Sequence, residues 1–106
     1  MRLTVTNALK SLASHDQPFQ EFFSHGSLTV EIYQPDGVDL QQPHTRDEIY
    51  VVISGSGYFV SGDSRAPFEV GEVLFAPAGV VHRFEDFSDD FATWVFFYGP
   101  EGGEQS

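Results

Sequence analysis

Apolar and polar side chains alternate along several short stretches of the chain. In residues 27–34, Leu28, Val30 and Ile32 fall on one face of an extended chain, and polar positions such as Glu31 fall on the other. A period of two residues is that of a half-buried β-strand. Further β-type runs follow at residues 48–53, 58–60, 68–70, 73–76, 80–84 and 93–98. Turn signals rich in Gly, Pro and Asp separate these runs, so the pattern predicts an all-β sandwich or barrel.

The remaining segments carry weaker patterns. Residues 7–13 are the one stretch that favours a helical turn, with Asn7 as its N-cap, so the helix content is expected to be low. The polar residues 101–106 (EGGEQS) are expected to form a disordered tail. We therefore predict a single domain over residues 1–106, with a barrel core at about residues 25–98.

Two of the predicted strands, residues 48–53 and 93–98, are apolar on both faces. A sheet with one face in water does not need a second apolar face. The outer face must then be covered either by the N-terminal segment, residues 1–24, or by a second subunit. We expect a homodimer.

Composition limits the classes of partner. The chain has 106 residues, with 5 Lys and Arg against 16 Asp and Glu, which gives a net charge of −11. This charge argues against nucleic acid or an anionic membrane surface as a partner, because phosphate binding needs a positive field. The absence of Cys excludes disulfides, thiolate metal ligands and a Cys nucleophile. No apolar run is long enough to span a bilayer, and no secretory signal peptide is evident, so a cytoplasmic location is expected.

The chemistry-bearing residues concentrate around Glu48. His44 precedes it by four residues, so the two side chains share one face of an extended strand. An imidazole and a carboxylate on one face suit a divalent metal, and His82 in another predicted strand is the natural third ligand. Tyr50 also shares the face of Glu48 and is a candidate proton donor, with packing as its ordinary alternative role.

Two sequence motifs give a resemblance to a known family. Glu48 and Gly55, separated by six residues and preceded by His44, resemble the first motif of the cupins. Residues 71–86 are similar to the second cupin motif and read GEVLFAPAGVVHRFED, with Asp86 where the family usually has Asn. The resemblance implies a small double-stranded β-helix, or jelly-roll-like, barrel that encloses a divalent metal, with Fe, Mn, Ni and Zn as the alternatives.

The first motif departs from the family pattern, so residues 42–48 can be aligned with that pattern in two ways. The family's usual ligands are two His and one Glu from the first motif and one His from the second. In one alignment His44 is the second His and Gln42 stands where the first should be, leaving three ligands or a weak oxygen ligand from Gln42. In the other, His44 is the first His and Arg46 replaces the second. Arg stays protonated and cannot bind a metal, so it would bind an anionic substrate instead.

His25 and Phe84 are further candidates for contact with a small molecule in the barrel. The resemblance implies a metal-dependent enzyme that acts on a small organic molecule, because dioxygenases, isomerases and lyases all occur on this scaffold. The alternative is a non-catalytic cupin that binds a small ligand or is purely structural. In that case His44 and His82 would simply form hydrogen bonds with Glu48.

Overall fold

The protein is described by a computed structural model that covers residues 1–105. Within this range the elements are α1 (Val5–Ala13), β1 (Phe19–His25), β2 (Leu28–Tyr33), β3 (Asp47–Ser54), β4 (Gly57–Ser61), β5 (Ser64–Phe68), β6 (Val73–Ala76), β7 (His82–Glu85) and β8 (Ala92–Tyr98). The strands form a five-stranded sheet in the order β1-β2-β8-β3-β6 and a three-stranded sheet in the order β5-β4-β7. All pairings are antiparallel. The predicted all-β class is confirmed.

The core lies between the two sheets and is rich in aromatic rings. Tyr50 of β3 packs edge-on against Phe84 of β7, with ring centroids 4.9 Å apart. Phe84 also contacts Phe91, at a centroid distance of 4.6 Å. All three rings are fully buried or nearly so. Offset and edge-to-face aromatic contacts of this kind add to the hydrophobic gain from burial, and they hold the two sheets together.

Strand β3 lies in the five-stranded sheet between β8 and β6, and its residues alternate between two faces. Glu48, Tyr50 and Val52 are buried on the inner face, whereas Ile49 and Val51 are half-buried on the outer face. The sequence pattern of two apolar faces is therefore real. The inner face builds the core and the candidate site, and the outer face needs a separate cover.

Helix α1 supplies part of that cover. Its Ala8 and Leu12 are buried against Ile32 of β2, and Trp94 of β8 packs on the same cluster. The helix begins two residues before the predicted start, because Thr4 is its N-cap and accepts a hydrogen bond from the backbone N–H of Asn7 at 3.2 Å. The predicted cap at Asn7 is therefore wrong. Over residues 1–105, no helix is long and apolar enough to cross a membrane.

Strand β1 was absent from the sequence prediction. Its register with β2 shifts between Glu21 and Phe23, which marks a β-bulge. A bulge adds one residue to one strand and breaks the alternation by which strands are recognised. The run predicted at residues 68–70 is also misplaced, because Phe68 ends β5, whose other residues are exposed.

The predicted disorder of residues 101–106 is not what the structure shows for residues 101–105. The backbone N–H of Gly102 donates to the carbonyl of Thr45 at 2.6 Å, and that of Glu104 donates to the carboxylate of Asp47 at 2.8 Å. These bonds hold the tail against the start of β3. Ser106 lies outside the described residues.

Candidate metal centre

The three ligands proposed from the sequence lie together at the inner face of the barrel. The donor atoms of His44, Glu48 and His82 all lie within 4.8 Å of one another. Glu48 is near the start of β3, His82 begins β7, and His44 lies in the loop before β3. The backbone N–H of Gly79 donates to the carbonyl of His44 at 2.8 Å, which links that loop to the turn before His82.

His82 is oriented by its backbone neighbour. Its Nδ1 lies 2.9 Å from the carbonyl oxygen of Val80. A carbonyl only accepts hydrogen bonds, so Nδ1 carries the proton and Nε2 of the neutral ring presents a lone pair. That Nε2 faces Oε1 of Glu48 at 3.0 Å. Both atoms are buried, and neither forms a hydrogen bond of acceptable geometry within the described residues.

Two electron-rich atoms that face each other in a buried site need a cation between them. A proton is one solution: burial lowers the pKa of His82, but Glu48 and the Val80 carbonyl outweigh burial and hold the pKa above its ordinary value. A divalent metal is the other. Imidazole nitrogen and carboxylate oxygen suit Fe, Mn, Ni and Zn alike, and a ligating His usually donates its second nitrogen as His82 does. The residues present therefore fit such an ion.

His44 completes the cluster from its more open side. Its Nε2 lies 3.7 Å from Oε1 of Glu48, and its side chain is 35% exposed against 2% for Glu48. The ring packs edge-on against Phe97 at a centroid distance of 4.9 Å. Burial is the largest influence on the pKa of His44 and lowers it, so the ring is neutral at neutral pH and available as a ligand.

Tyr50 lies beside the cluster, as its position two residues after Glu48 predicted. Its hydroxyl donates to Oε1 of Gln41 at 3.0 Å. Burial and then the charge of Glu48 raise the pKa of Tyr50 well above its ordinary value. The phenol therefore keeps its proton at neutral pH. Its catalytic role stays a prediction.

A cavity of about 340 Å³ opens next to the cluster. Its polar lining residues are Glu31, Gln41, Gln42, His44 and Glu48. Phe19, Val95 and Phe97 contribute apolar wall. The cavity therefore combines two of the three candidate metal ligands, His44 and Glu48, with an apolar surface, which is the usual character of a small-molecule site.

Glu31 was missed as a functional residue. Burial, followed by the charges of Glu21 and Glu48, raises the pKa of Glu31 to about 7. The strand pattern already placed Glu31 opposite Val30 and Ile32, but alternation alone does not say which face points into the barrel. A carboxyl with this pKa exchanges its proton near neutral pH, which is the property of a general acid or base.

The other predicted site residues lie in different surroundings. Gln42 is exposed at the rim of the cavity. Arg46 donates to the Ser27 carbonyl and, at 3.2 Å, to the Thr29 hydroxyl, so its guanidinium group is held against the start of β2. Its predicted contact with an anionic substrate has no support in this arrangement.

His25 and Phe84 do not line the cavity among the residues that the structure describes. His25 is exposed at the end of β1, where the chain turns toward β2. Phe84 is 2% exposed and packs into the aromatic core, because β7 directs its side chain between the sheets. The structure therefore places His25 at a turn and Phe84 in the core, and their contact with a substrate stays a prediction.

The comparison with known families now identifies the class. A family model described as "Cupin domain" matches residues 29–98. The chain therefore belongs to the cupin family, and the resemblance drawn from its two motifs is confirmed.

Two relatives illustrate the range of this family. An uncharacterised protein of Streptomyces coelicolor is 34% identical over 91 residues, which cover 84% of this chain and 87% of that protein. An acireductone dioxygenase of Drosophila pseudoobscura pseudoobscura is 40% identical over 53 residues, which cover 45% of this chain and 28% of the enzyme. The second match is therefore local.

A solved structure supports the fold over nearly the whole chain. A protein of Neisseria meningitidis superimposes with a TM-score of 0.74 at 16% identity, covering 93% of this chain and all of that one. At this identity the likeness bears on the fold alone. The match to the cupin family over residues 29–98, together with a TM-score of 0.64 to a "Cupin 2 conserved barrel domain protein" of Salinispora arenicola at 21% identity, covering 76% of this chain and 74% of that one, confirms the predicted cupin barrel.

Proposed function

We propose that the chain is a metal-dependent enzyme that acts on a small organic molecule in the cavity beside His44, Glu48 and His82. The observation that carries this proposal is the pair of buried atoms, Oε1 of Glu48 and Nε2 of His82, at 3.0 Å without a hydrogen bond. Without a cation between them, two facing acceptors would each cost about 1–3 kcal/mol, and the third donor, His44, favours a metal ion over a proton as that cation.

The residues around the cluster have distinct roles in this proposal. A bound divalent ion would supply Lewis-acid chemistry toward an oxygen atom of the substrate. Glu31, which lines the same cavity and has a pKa of about 7, accepts or returns a proton there. Tyr50 keeps its proton and donates a hydrogen bond. The buried position of Glu48 keeps water from one side of the cluster.

The cavity also limits the substrate class. Its volume of about 340 Å³ suits a molecule of metabolite size. Two carboxylates in its walls and a net charge of −11 disfavour a multiply charged anion. We propose a neutral or singly charged molecule with an oxygen donor at one end. Dioxygenase, isomerase and lyase reactions all suit this description, and the local likeness to an acireductone dioxygenase favours the first.

Metal content after anaerobic loading with Fe(II), Mn(II), Ni(II) or Zn(II), measured by elemental mass spectrometry, tests the proposal. We expect near-stoichiometric metal in the wild type and loss of most of it in His82→Ala. His25→Ala, an exposed histidine outside the cavity, is the matched control and should keep its metal. Absence of metal from the wild type, or full retention in His82→Ala, would support the non-catalytic alternative, in which Glu48 and His82 share a proton.

We also propose a homodimer formed through the outer strip of the five-stranded sheet. We define this strip as Val73 and Phe75, with the adjacent Ile49, Val51 and Phe96. Val73 and Phe75 are 65% and 49% exposed, respectively. An apolar row that α1 leaves open favours a second copy of the chain as its cover.

We also propose that the protein is located in the cytoplasm, which cell fractionation tests.

A further inference from the structure

The side chain of Gln41 has a fixed orientation. Its Nε2 donates to Oδ2 of Asp39 at 2.6 Å, and its backbone N–H donates to Oδ1 of the same residue at 3.1 Å. Asp39 is buried and also accepts hydrogen bonds from the Tyr33 hydroxyl and the Phe84 backbone N–H. A carboxylate only accepts, so the amide nitrogen of Gln41 must face Asp39. Its Oε1 therefore faces the opposite way.

That oxygen points at the candidate metal centre. Oε1 of Gln41 lies 3.3 Å from Nε2 of His44 and 3.0 Å from the hydroxyl of Tyr50. The Tyr50 hydroxyl satisfies one lone pair of the oxygen. The other lone pair lies beside the His44 nitrogen, which presents a lone pair of its own when it acts as a metal ligand.

The four candidate donor atoms have the spacing of a coordination shell. Gln41 Oε1 to His44 Nε2 is 3.3 Å, His44 Nε2 to Glu48 Oε1 is 3.7 Å, and Glu48 Oε1 to His82 Nε2 is 3.0 Å. Two ligands that each lie about 2.1 Å from one ion are about 3.0–3.4 Å apart at an angle of roughly 90–110°. The longer distance of 3.7 Å between His44 and Glu48 corresponds to a wider angle of roughly 125° at the same ligand distance. Repulsion between adjacent acceptors is relieved when all of them share a cation.

We propose that Oε1 of Gln41 is the fourth protein ligand of the metal that His44, Glu48 and His82 hold. This inference rests on the proposed function, because it assumes a metal. It differs from the sequence expectation, in which the residue aligned with the missing histidine, Gln42, would supply the oxygen. Gln42 is exposed at the cavity rim, whereas Asp39 holds the Gln41 amide toward the cluster.

The ligand set has consequences for the choice of metal. An amide oxygen in place of an imidazole makes the site harder, and harder oxygen ligands favour Mn(II) and Fe(II) relative to Ni(II) and Zn(II). Asp39 acts as a positioning residue, because it sets which atom of the amide faces the ion. The site therefore prefers hard ions more than a site with three histidines would.

Isothermal titration of the full-length chain with Mn(II) under anaerobic conditions tests the assignment. We expect Gln41→Ala to bind Mn(II) at least about tenfold more weakly than the wild type, since even outer-shell changes cost 10–100-fold. Gln42→Ala is the matched control, one residue away, and should stay within about twofold of the wild type. The visible spectrum of the Co(II)-loaded protein should change in Gln41→Ala and not in Gln42→Ala, which provides a readout independent of activity.

Each remaining outcome has a defined meaning. Wild-type affinity and an unchanged Co(II) spectrum in Gln41→Ala would overturn the assignment, as would a loss confined to Gln42→Ala. If His82→Ala loses metal in the same experiment, the proposed function survives that failure. A wild type that binds no metal would overturn both. Should Gln41→Ala fail to fold, Gln41→Met removes the amide oxygen at similar side-chain length, and we expect it to bind Mn(II) at least about tenfold more weakly than the wild type. Wild-type affinity in that variant would contradict the assignment.

Discussion

Among single residues, the two carboxyls in the cavity differ because their neighbours differ. Glu48 faces the His82 nitrogen at 3.0 Å and is fully enclosed. Burial is the largest cause of the raised pKa of Glu31, and the charges of Glu21, directly across the strand pair, and of Glu48 oppose its ionisation further. One residue type therefore provides the proposed metal ligand in one place and a proton-exchanging group in another.

The raised pKa of Glu31 predicts a pH-dependent gain in stability for Glu31→Gln. A pKa of about 7 in the folded state, against 4.5 as its ordinary value, means that the folded protein loses stability as pH rises between these values. The variant carries no ionisable group there, so its Tm should exceed that of the wild type at pH 8 and match it at pH 4. Thermal unfolding across this range measures the difference.

Glu21→Gln is the control for that measurement, because Glu21 is exposed and contributes only a nearby charge. We expect it to shift the Tm in the same direction by a smaller amount. A Tm difference for Glu31→Gln that does not change with pH would contradict the assigned pKa.

At the level of elements, helix α1 covers part of the apolar outer face of the five-stranded sheet. The helix is short, and helices of nine residues are marginal in isolation. Its stability must come from burying Ala8 and Leu12 on Ile32. Packing, rather than helix propensity, therefore holds the N-terminal segment on the sheet.

Leu12→Ala is expected to destabilise the fold by about 2–4 kcal/mol, the usual cost of removing a buried leucine side chain. Leu12 is 5% exposed, whereas Val5 on the same helix is 39% exposed. Val5→Ala should therefore cost much less, and it serves as the control. Urea denaturation measures both variants. Equal effects would mean that the helix does not rest on the sheet through Leu12.

For the whole molecule, net charge and exposed apolar surface have opposite effects on association between copies of the chain. Each chain carries a net charge of −11, which disfavours association, whereas the outer strip favours it. Salt screens the repulsion at a Debye length of about 8 Å at physiological ionic strength. The dimer should therefore strengthen as salt concentration rises.

Sedimentation velocity is expected to detect a dimer in the wild type and a monomer in Phe75→Lys. Phe75 lies on the edge strand β6, and a charge there would be buried at the interface. Val38→Lys places the same charge on an exposed apolar residue outside the strip and should leave the dimer intact. A monomeric wild type at both low and high salt would rule the dimer out.

The sequence alone determined most strands, the family and three residues of the candidate site. Alternation identified β2, whereas continuous runs of apolar residues bounded by turn signals identified β3 and β8. The two motifs pointed to His44, Glu48 and His82, and the structure brings their donor atoms together. His44 lies in the loop before β3, so the predicted common strand face is not what places it beside Glu48.

Only the tertiary structure decided the features that depend on which face turns inward or on how a loop is held. Alternation placed Glu31 on a face without saying that the face lines a cavity. The β-bulge in β1 interrupts the alternation by which the strand would have been recognised. Hydrogen bonds to the Thr45 carbonyl and the Asp47 carboxylate hold residues 101–105 in place. Gln41 and Gln42, the two alternatives for the proposed fourth ligand, lie in a segment without periodicity, so the sequence pattern does not separate them. The buried carboxylate of Asp39 sets the orientation of the Gln41 side chain. The contacts that fix Asp39 and the tail join distant parts of the chain, as Phe84 with Asp39 and Glu104 with Asp47, so only the folded chain brings these residues together.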